Sequence, residues 1–260
     1  MTIRIGIAGI AGRMGRLLAE ETAAAGASLA GGTLRPGASL DTLPPGLPVV
    51  PDIVALCAAS DVVIDFTHAH AARAHALAAA ETGTPLILGS SGLSATDEAA
   101  VAEAAQRTAI VYAANFAPGV NLFLAIAERM AAALPPAQYD AEIVEMHHRQ
   151  KVDAPSGTAI ALGRAVAAGR GTTLEAAGKE SGRDGHTGAR GTGTIGFAAL
   201  RGGQVVGEHT LLFAAASEHI SLTHKSFDRR VYASGAVRAA LWAAGRAPGL
   251  YSMRDVLGMT

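Results

Sequence analysis

The sequence predicts an α/β protein in two parts: a doubly wound half with a parallel sheet, then an α+β half with a mixed or antiparallel sheet. Three observations carry this. Short β-branched apolar runs alternate with helical patterns up to about residue 115, and the alternation breaks at Ala117-Pro118-Gly119. After the break come strand-like segments joined by short turns. A chain of 260 residues is long enough for each part to bury a core without a disulfide or metal staple.

Taken in order, Ile3–Ala8 is a β-branched run ending in glycines, as a buried parallel strand should. Met14–Ala25 reads as a helix, Leu29–Leu34 as a strand broken by Arg35-Pro36-Gly37, and Pro44–Pro51 as a proline-rich loop. Val62–Phe66 is the clearest buried strand. A helix over His70–Thr82, a strand over Pro85–Leu88, a helix over Thr96–Arg107 and a strand over Ala109–Ala113 complete the first half. Beyond the break, Val120–Leu134 is helical and Pro135-Pro136 ends it. A strand over Ala141–Met146 and a helix over Ser156–Ala168 follow. Gly169–Gly193, polar and rich in glycine, reads as a mobile loop. Thr194–Leu200, Val205–Ala215 and His219–Lys225 read as adjacent antiparallel strands, and Val231–Leu241 as a last helix. The expected division is 1–118, 119–228, and a return of 229–260 to the first part.

Composition excludes several function classes. Lys and Arg number 21 against 22 Asp and Glu, with no basic stripe, so no nucleic-acid partner is expected. No apolar run approaches the ~18 residues a membrane span requires; Leu122–Leu134 comes nearest and contains Glu128 and Arg129. The single Cys57 permits no internal disulfide, reads as a small core residue and fits a reducing compartment, so the expected location is the cytoplasm.

The turn Gly9-Ile10-Ala11-Gly12-Arg13-Met14-Gly15 lies between the first strand and the first helix. Glycines there let the backbone approach a pyrophosphate, whose charge the free amides of the helix start can bind. The expected first domain is therefore a Rossmann-type dinucleotide-binding unit. Its second strand ends in Thr33-Leu34-Arg35 without a carboxylate for the ribose hydroxyls; Arg35 suits a 2′-phosphate, so NADPH is expected over NADH. Gly89-Ser90-Ser91-Gly92 follows a strand, where the ribose and phosphates would pass, and does not fit a hydrolase elbow.

A second motif runs from Glu142 to Thr158. It gathers His147, His148, Arg149 and Lys151, then Pro155-Ser156-Gly157-Thr158 at a helix start. Imidazole moves a proton near neutral pH, and a helix start with hydroxyls seats a carboxylate. Together they suit a small dianionic substrate that must be protonated. The bland alternative, a basic loop before a capped helix, stands beside it. His68, His70 and His75 lack a nearby carboxylate or Cys and read as a solvated helix start, so no metal is expected. His209, His219 and His224 fall on strands with no role assigned.

The run from Glu145 through His147-His148-Arg149-Gln150-Lys151 to Pro155-Ser156-Gly157-Thr158 resembles the signature of the 4-hydroxy-tetrahydrodipicolinate reductase family, long called dihydrodipicolinate reductases. The likeness extends to Asp65-Phe66-Thr67, Asn115–Asn121, Gly207–Thr210, Thr223–Lys225, Ala233–Arg238 and Met253–Leu257. It implies NAD(P)H-dependent reduction of a heterocyclic dicarboxylate in the diaminopimelate route to lysine, by a homotetramer. It further implies His147 as proton donor and acceptor, Lys151 as a second proton donor, and His148, Ser156, Gly157 and Thr158 on the substrate. Cofactor contacts map to Gly9, Ile10, Ala11, Gly12, Arg13 and Met14, to Arg35, to Gly89, Ser90 and Ser91, and to Ala113, Ala114, Asn115 and Phe116. The chain departs from the family where Leu34 replaces an acidic residue, Ser90 and Ser91 replace threonines, and Ala114 replaces a proline. Another nicotinamide dehydrogenase of this architecture, or a nonenzymatic dinucleotide sensor, remain the alternatives; neither explains the histidine–lysine run.

Overall fold

The computed structural model describes residues 2–35, 37, 38, 43 and 46–259. Pro36, Pro44 and Pro45, assigned above to a breaker and a loop, lie outside them. The chain divides into two compact units, 1–118 with 230–260, and 119–229.

The first unit contains β1 (Arg4–Ala8), α1 (Arg13–Ala24), β2 (Ser28–Gly32), α2 (Ile53–Ala59), β3 (Val62–Asp65) and α3 (Ala69–Thr82). It continues with β4 (Leu86–Leu88), α4 (Ala95–Ala104) and β5 (Ala109–Tyr112). From the second unit come α5 (Pro118–Ala133, which begins at the boundary), β6 (Asp140–His147), α6 (Gly157–Gly169), α7 (Leu174–Ala177), β7 (Lys179–Ser181), β8 (Ile195–Arg201), β9 (Gly207–Ala214) and β10 (His219–Ser226). The chain ends in the first unit with α8 (Arg230–Ala243), β11 (Gly249–Tyr251) and α9 (Met253–Val256).

Among the described residues, the first unit holds a six-stranded sheet in the order β11-β5-β4-β3-β1-β2, with every pairing parallel. Both faces are covered, which is why these strands read as continuous apolar runs rather than alternating ones. Ile5, Ile7, Val62, Ile64, Ile87 and Val111 pack with α1 and α8 on one face. Val63, Leu86, Leu88 and Ile110 pack with α2, α3 and α4 on the other. Cys57 is a buried free thiol in that second layer, and burial raises its pKa to about 11, so it packs as a small apolar residue.

Three elements of this unit escaped the sequence reading. Helix α2 starts at Asp52, whose carboxylate accepts from the Ala55 amide at 2.8 Å. Strand β11 adds only three residues to the sheet edge. Helix α9 is one turn long, held by a capping box between Ser252 and Asp255.

The second unit's five-stranded sheet has the order β10-β9-β6-β8-β7. It is mixed: β6 runs antiparallel to β9 but parallel to β8, and β7 is also parallel to β8. The expected antiparallel sequence of the last three strands is thus corrected. Only β9 and β10 form a hairpin, because β6 lies between β8 and β9. The 169–193 stretch is also corrected in part. Thr173 caps α7, β7 pairs with β8, and Arg190 anchors the remainder through Asp140, Glu142 and the carbonyls of Ala141 and Thr194. Helices α5 and α6 cover one sheet face, burying Phe123, Ala127, Leu162 and Val166 against Ile143, Ile195, Phe197, Leu211 and Phe213. Among the described residues, no helix is long and apolar enough to cross a membrane.

Candidate active site

In the second unit, the covered sheet face changes character toward the C-terminal end of β6. Ala141 and Ile143 belong to the apolar core; two and four residues further on, Glu145 and His147 point to the same side and are buried. Register brings β8 and β9 to them: Arg201 lies opposite His147 on one side, and His209 opposite Glu145 on the other.

Glu145 organises this cluster. Its Oε2 lies 2.6 Å from His147 Nδ1 and accepts from Arg201 Nη1 at 2.8 Å. Its Oε1 accepts from Arg201 Nη2 at 2.8 Å and from the Ser156 amide at 3.0 Å. Burial raises the carboxyl's pKa, but the guanidinium, the imidazole and the amide outweigh it, and the net value lies below that of an ordinary glutamate. For His147 burial is the largest influence and lowers the pKa; Glu145 opposes this, Lys151 and Arg201 add to it, and the net value is lowered. His209 stacks edge-on against His147 with ring centroids 5.1 Å apart, and burial takes its pKa down to about 4, so it is neutral at pH 7.

Ser156 is the N-cap of α6. Its hydroxyl accepts from the Ala159 amide at 3.2 Å and lies 2.9 Å from His209 Nε2. All three polar groups serving this cap are therefore engaged within the protein. The amides of Gly157 and Thr158, in the first turn with Gly157 exposed, are those the helix geometry leaves for a ligand or solvent. Lys151 Nζ bonds both oxygens of Asp153, at 2.7 and 2.8 Å, and Arg201 donates to the Asp153 carbonyl at 2.6 Å. His148 is half-buried, with its Nδ1 unpartnered among the described residues. Sequence reasoning named His147, His148, Lys151, Ser156, Gly157 and Thr158, and the structure gathers them around one sheet end and one helix start. It missed the part played by Glu145, Arg201 and His209.

In the first unit, Gly9 takes φ +70°, where a side chain is disfavoured. Its amide donates to Thr33 Oγ1 at 3.1 Å, and the Ile10 amide donates to the Thr33 carbonyl at 3.1 Å. Gly15 closes the turn: a Cβ there would lie 2.5 Å from the carbonyl oxygens of Gly9 and Ile10. Helix α1 then starts at Gly12 without a side-chain cap or an acidic residue in its first turn. That leaves positive amide ends beside Arg13, the arrangement an anionic group needs.

A cavity of about 250 Å³ joins Met14 of this turn to Phe66, Ala114, Asn115, Phe116 and Tyr232. Two of the segments assigned to the cofactor thus meet in one hollow. Phe116 itself is buried, its ring tilted against Phe66 at 5.3 Å. Ala113 continues β5 through a bond to Leu88. At Gly89 a Cβ would strike the Phe66 ring at 2.4 Å. Ser90 Oγ is buried and unpartnered among the described residues, Ser91 is exposed, and Arg35 is exposed beyond β2 while Leu34 packs on the core. The uncapped helix start, the tight glycine turn and the orphaned Ser90 hydroxyl fit a dinucleotide.

His75 departs from the solvated reading. Its Nδ1 lies 2.6 Å from Oδ2 of the fully buried Asp65, whose Oδ1 accepts from the Thr67 amide and hydroxyl. The carboxylate was at hand, ten residues earlier on β3. Among the described residues, no group of three His, Cys, Asp or Glu is arranged to hold a metal.

The chain has clear relatives among known proteins. Residues 3–116 match the family model "Dihydrodipicolinate reductase, N-terminus", and residues 119–257 match "Dihydrodipicolinate reductase, C-terminus". The chain is 67% identical over 258 residues to the 4-hydroxy-tetrahydrodipicolinate reductase of Granulibacter bethesdensis, covering 99% of this chain and 98% of that one. It is 59% identical to the enzyme of the same name from Acidiphilium cryptum, covering 99% and 98%. Among solved structures, a dipicolinate-bound dihydrodipicolinate reductase from Paenisporosarcina sp. shares the fold, with a TM-score of 0.80 at 24% identity over 98% of this chain and 99% of that one. The two family models between them span nearly the whole sequence, and the chain belongs to the dihydrodipicolinate reductase family.

Proposed function

We propose that this chain is a 4-hydroxy-tetrahydrodipicolinate reductase. It converts its substrate, with loss of water and oxidation of NAD(P)H, to (S)-2,3,4,5-tetrahydrodipicolinate on the diaminopimelate route to lysine. Beside the relatives' shared activity, the observation that carries this reading is an imidazole whose Nδ1 is held by a buried carboxylate next to a helix start with two unused amides.

When bound, the reduced nicotinamide would supply the hydride, which a ring carbon conjugated with the imine would take up. The neighbouring carbon gains electron density, and His147 delivers the proton it takes up. Lys151 acts as a second proton donor; its ammonium, held by Asp153, also lowers the proton affinity of His147 and so favours release of that proton. His148 and the Gly157 and Thr158 amides hold the two carboxylates, with Ser156 shaping the seat as the cap of α6. The 119–229 unit is thus the substrate-binding domain, and the other unit the dinucleotide-binding domain. Gly9–Met14, Gly89–Ser91 and Ala113–Phe116 would hold the cofactor.

NADPH is favoured over NADH, because Arg35 is exposed, where it can meet a 2′-phosphate, while Leu34 offers no carboxylate to the ribose. The enzyme is a cytoplasmic homotetramer joined through the second unit's sheet, whose uncovered face exposes Val144 and Leu200. The test is NADPH oxidation with substrate generated in situ by the upstream synthase. Wild type should turn over, His147→Gln should mainly lose kcat, and Lys151→Ala should lose kcat and raise KM. Absence of turnover with either cofactor, or wild-type rates in both variants, refutes the assignment.

A further inference from the structure

The four hydrogen bonds on Glu145 determine more than its own ionisation. The Ser156 amide and the two Arg201 nitrogens can only donate, so both carboxylate oxygens are already acceptors. These three donors, two of them from one bidentate guanidinium, stabilise the charged form and hold the carboxyl below the ordinary glutamate range, so Glu145 is ionised. The fourth partner, His147 Nδ1 at 2.6 Å, must then be a donor as well. The neutral ring carries its hydrogen on Nδ1 and is bare at Nε2, so protons enter and leave only at Nε2. That edge faces the place where Gly207 lacks a side chain: a Cβ there would lie 3.0 Å from Nε2.

Arg201 has the complementary part. A buried carboxylate alone beside an imidazole would hold it as a persistent imidazolium, able to accept charge but slow to release a proton. The guanidinium fork shares the carboxylate's charge and also fixes the carbonyl of Asp153, whose side chain holds Lys151. We infer that Glu145 and Arg201 are a positioning pair, setting the tautomer and the proton affinity of His147 in opposite directions, Glu145 upward and Arg201 downward. This rests on the reading of His147 as the proton donor. The other charged or titratable groups facing the imidazole are Lys151 with Asp153 from the following loop and His209 from β9.

Two readouts test the pair. In wild type, 15N NMR of histidine-labelled protein, assigned by loss of signals in His147→Gln, should give a neutral His147 with its bare nitrogen at Nε2. A bare Nδ1 overturns the inference whether or not the enzyme turns over. Failure of wild-type turnover with correct NMR signals instead counts against the proposed function alone. In the pH profile of kcat, the limb that reports the protonated donor should move to lower pH in Glu145→Gln, with kcat reduced about 10²-fold or more. It should move to higher pH in Arg201→Gln, and stay near wild type in Arg201→Lys, which keeps the charge but loses the fork. Should Glu145→Gln fail to fold, the two Arg201 variants decide. Unmoved limbs, or a shift of the same sign in Arg201→Gln and Arg201→Lys, overturn the pair.

Discussion

Alanine at Gly207 isolates the working edge of His147. The glycine has an ordinary strand conformation, so alanine is allowed there, and removing a glycine from a strand gains about 0.5–1 kcal/mol of backbone entropy. Against this, the new methyl lies 3.0 Å from Nε2, where ordinary contact begins at 3.4 Å. The ring must yield by roughly half an ångström, and it has little room: Glu145 holds Nδ1 at 2.6 Å and His209 stacks on it at 5.1 Å. The crowding roughly cancels the entropic gain, so stability should stay within about 1 kcal/mol, a Tm shift below about 4 °C. Catalysis should respond far more. A displacement of this size at a proton-transferring atom, with a methyl across its approach, predicts a kcat loss of about 10²-fold, or about 2.7 kcal/mol. Steady-state NADPH oxidation gives kcat and both KM values, and thermal melts give Tm. KM for the cofactor should not change, since Gly207 is in none of the segments assigned to it. A kcat within twofold of wild type in a protein of unchanged Tm would show that Nε2 is not where the proton moves.

Gly15→Ala should destabilise by about 1–3 kcal/mol despite alanine's better helix propensity, because its Cβ meets two carbonyl oxygens at 2.5 Å; melts and NADPH titration should show both stability and affinity lost. Arg35→Ala should raise KM for NADPH several-fold and leave NADH unchanged, and Leu34→Glu should narrow the preference further, as parallel titrations of the two cofactors would reveal. His209 contributes to pH-dependent stability. Its folded pKa of about 4 lies below the unfolded value of 6.5, so the unfolded chain binds the extra proton between them. The contribution is complete above pH 6.5 and lost as the pH falls toward 4, by about 2 kcal/mol at pH 5 as an upper bound. Melts of His209→Gln should fall less steeply than wild type between pH 7 and pH 5.

The doubly wound half was legible because burial on both faces makes its strands speak plainly. Val62-Val63-Ile64 supplies side chains to two different layers in succession, and no alternation is needed to recognise it. Beside the short helices α2 and α9, what escaped were strands whose stability is not local. Strand β11 is three residues that exist by pairing with β5, and β7 exists by pairing with β8. Strand order escaped for a related reason. Short turns around β8, β9 and β10 suggested consecutive hairpins, yet β6, laid down some fifty residues before β8, separates β8 from β9. A turn's length constrains where a chain can go next, but not which older strand already stands there.

The candidate site divides along the same line. His147, His148, Lys151 and the Ser156–Thr158 helix start lie within one short run, so their chemistry could be read from spacing. The groups that tune them come from 54 and 62 positions beyond His147, counting from 147 to 201 and to 209, and reach it only through sheet register. Their sequence signal was nonetheless present in the alternation. Ala141, Ile143, Glu145 and His147 occupy one face of a single strand, so a carboxylate two residues before a histidine, continuing an apolar series, had to be buried on the histidine's side. A buried carboxylate requires a cation or several donors. Arg201 ends a strand whose Ile195 and Phe197 share that apolar face, and His209 is the third residue of one whose Leu211 and Phe213 do so. The polar ends of three such series, one acidic, one basic and one neutral, converge where the core stops; the same burial that stabilises the sheet thereby shifts the titration of its last side chains.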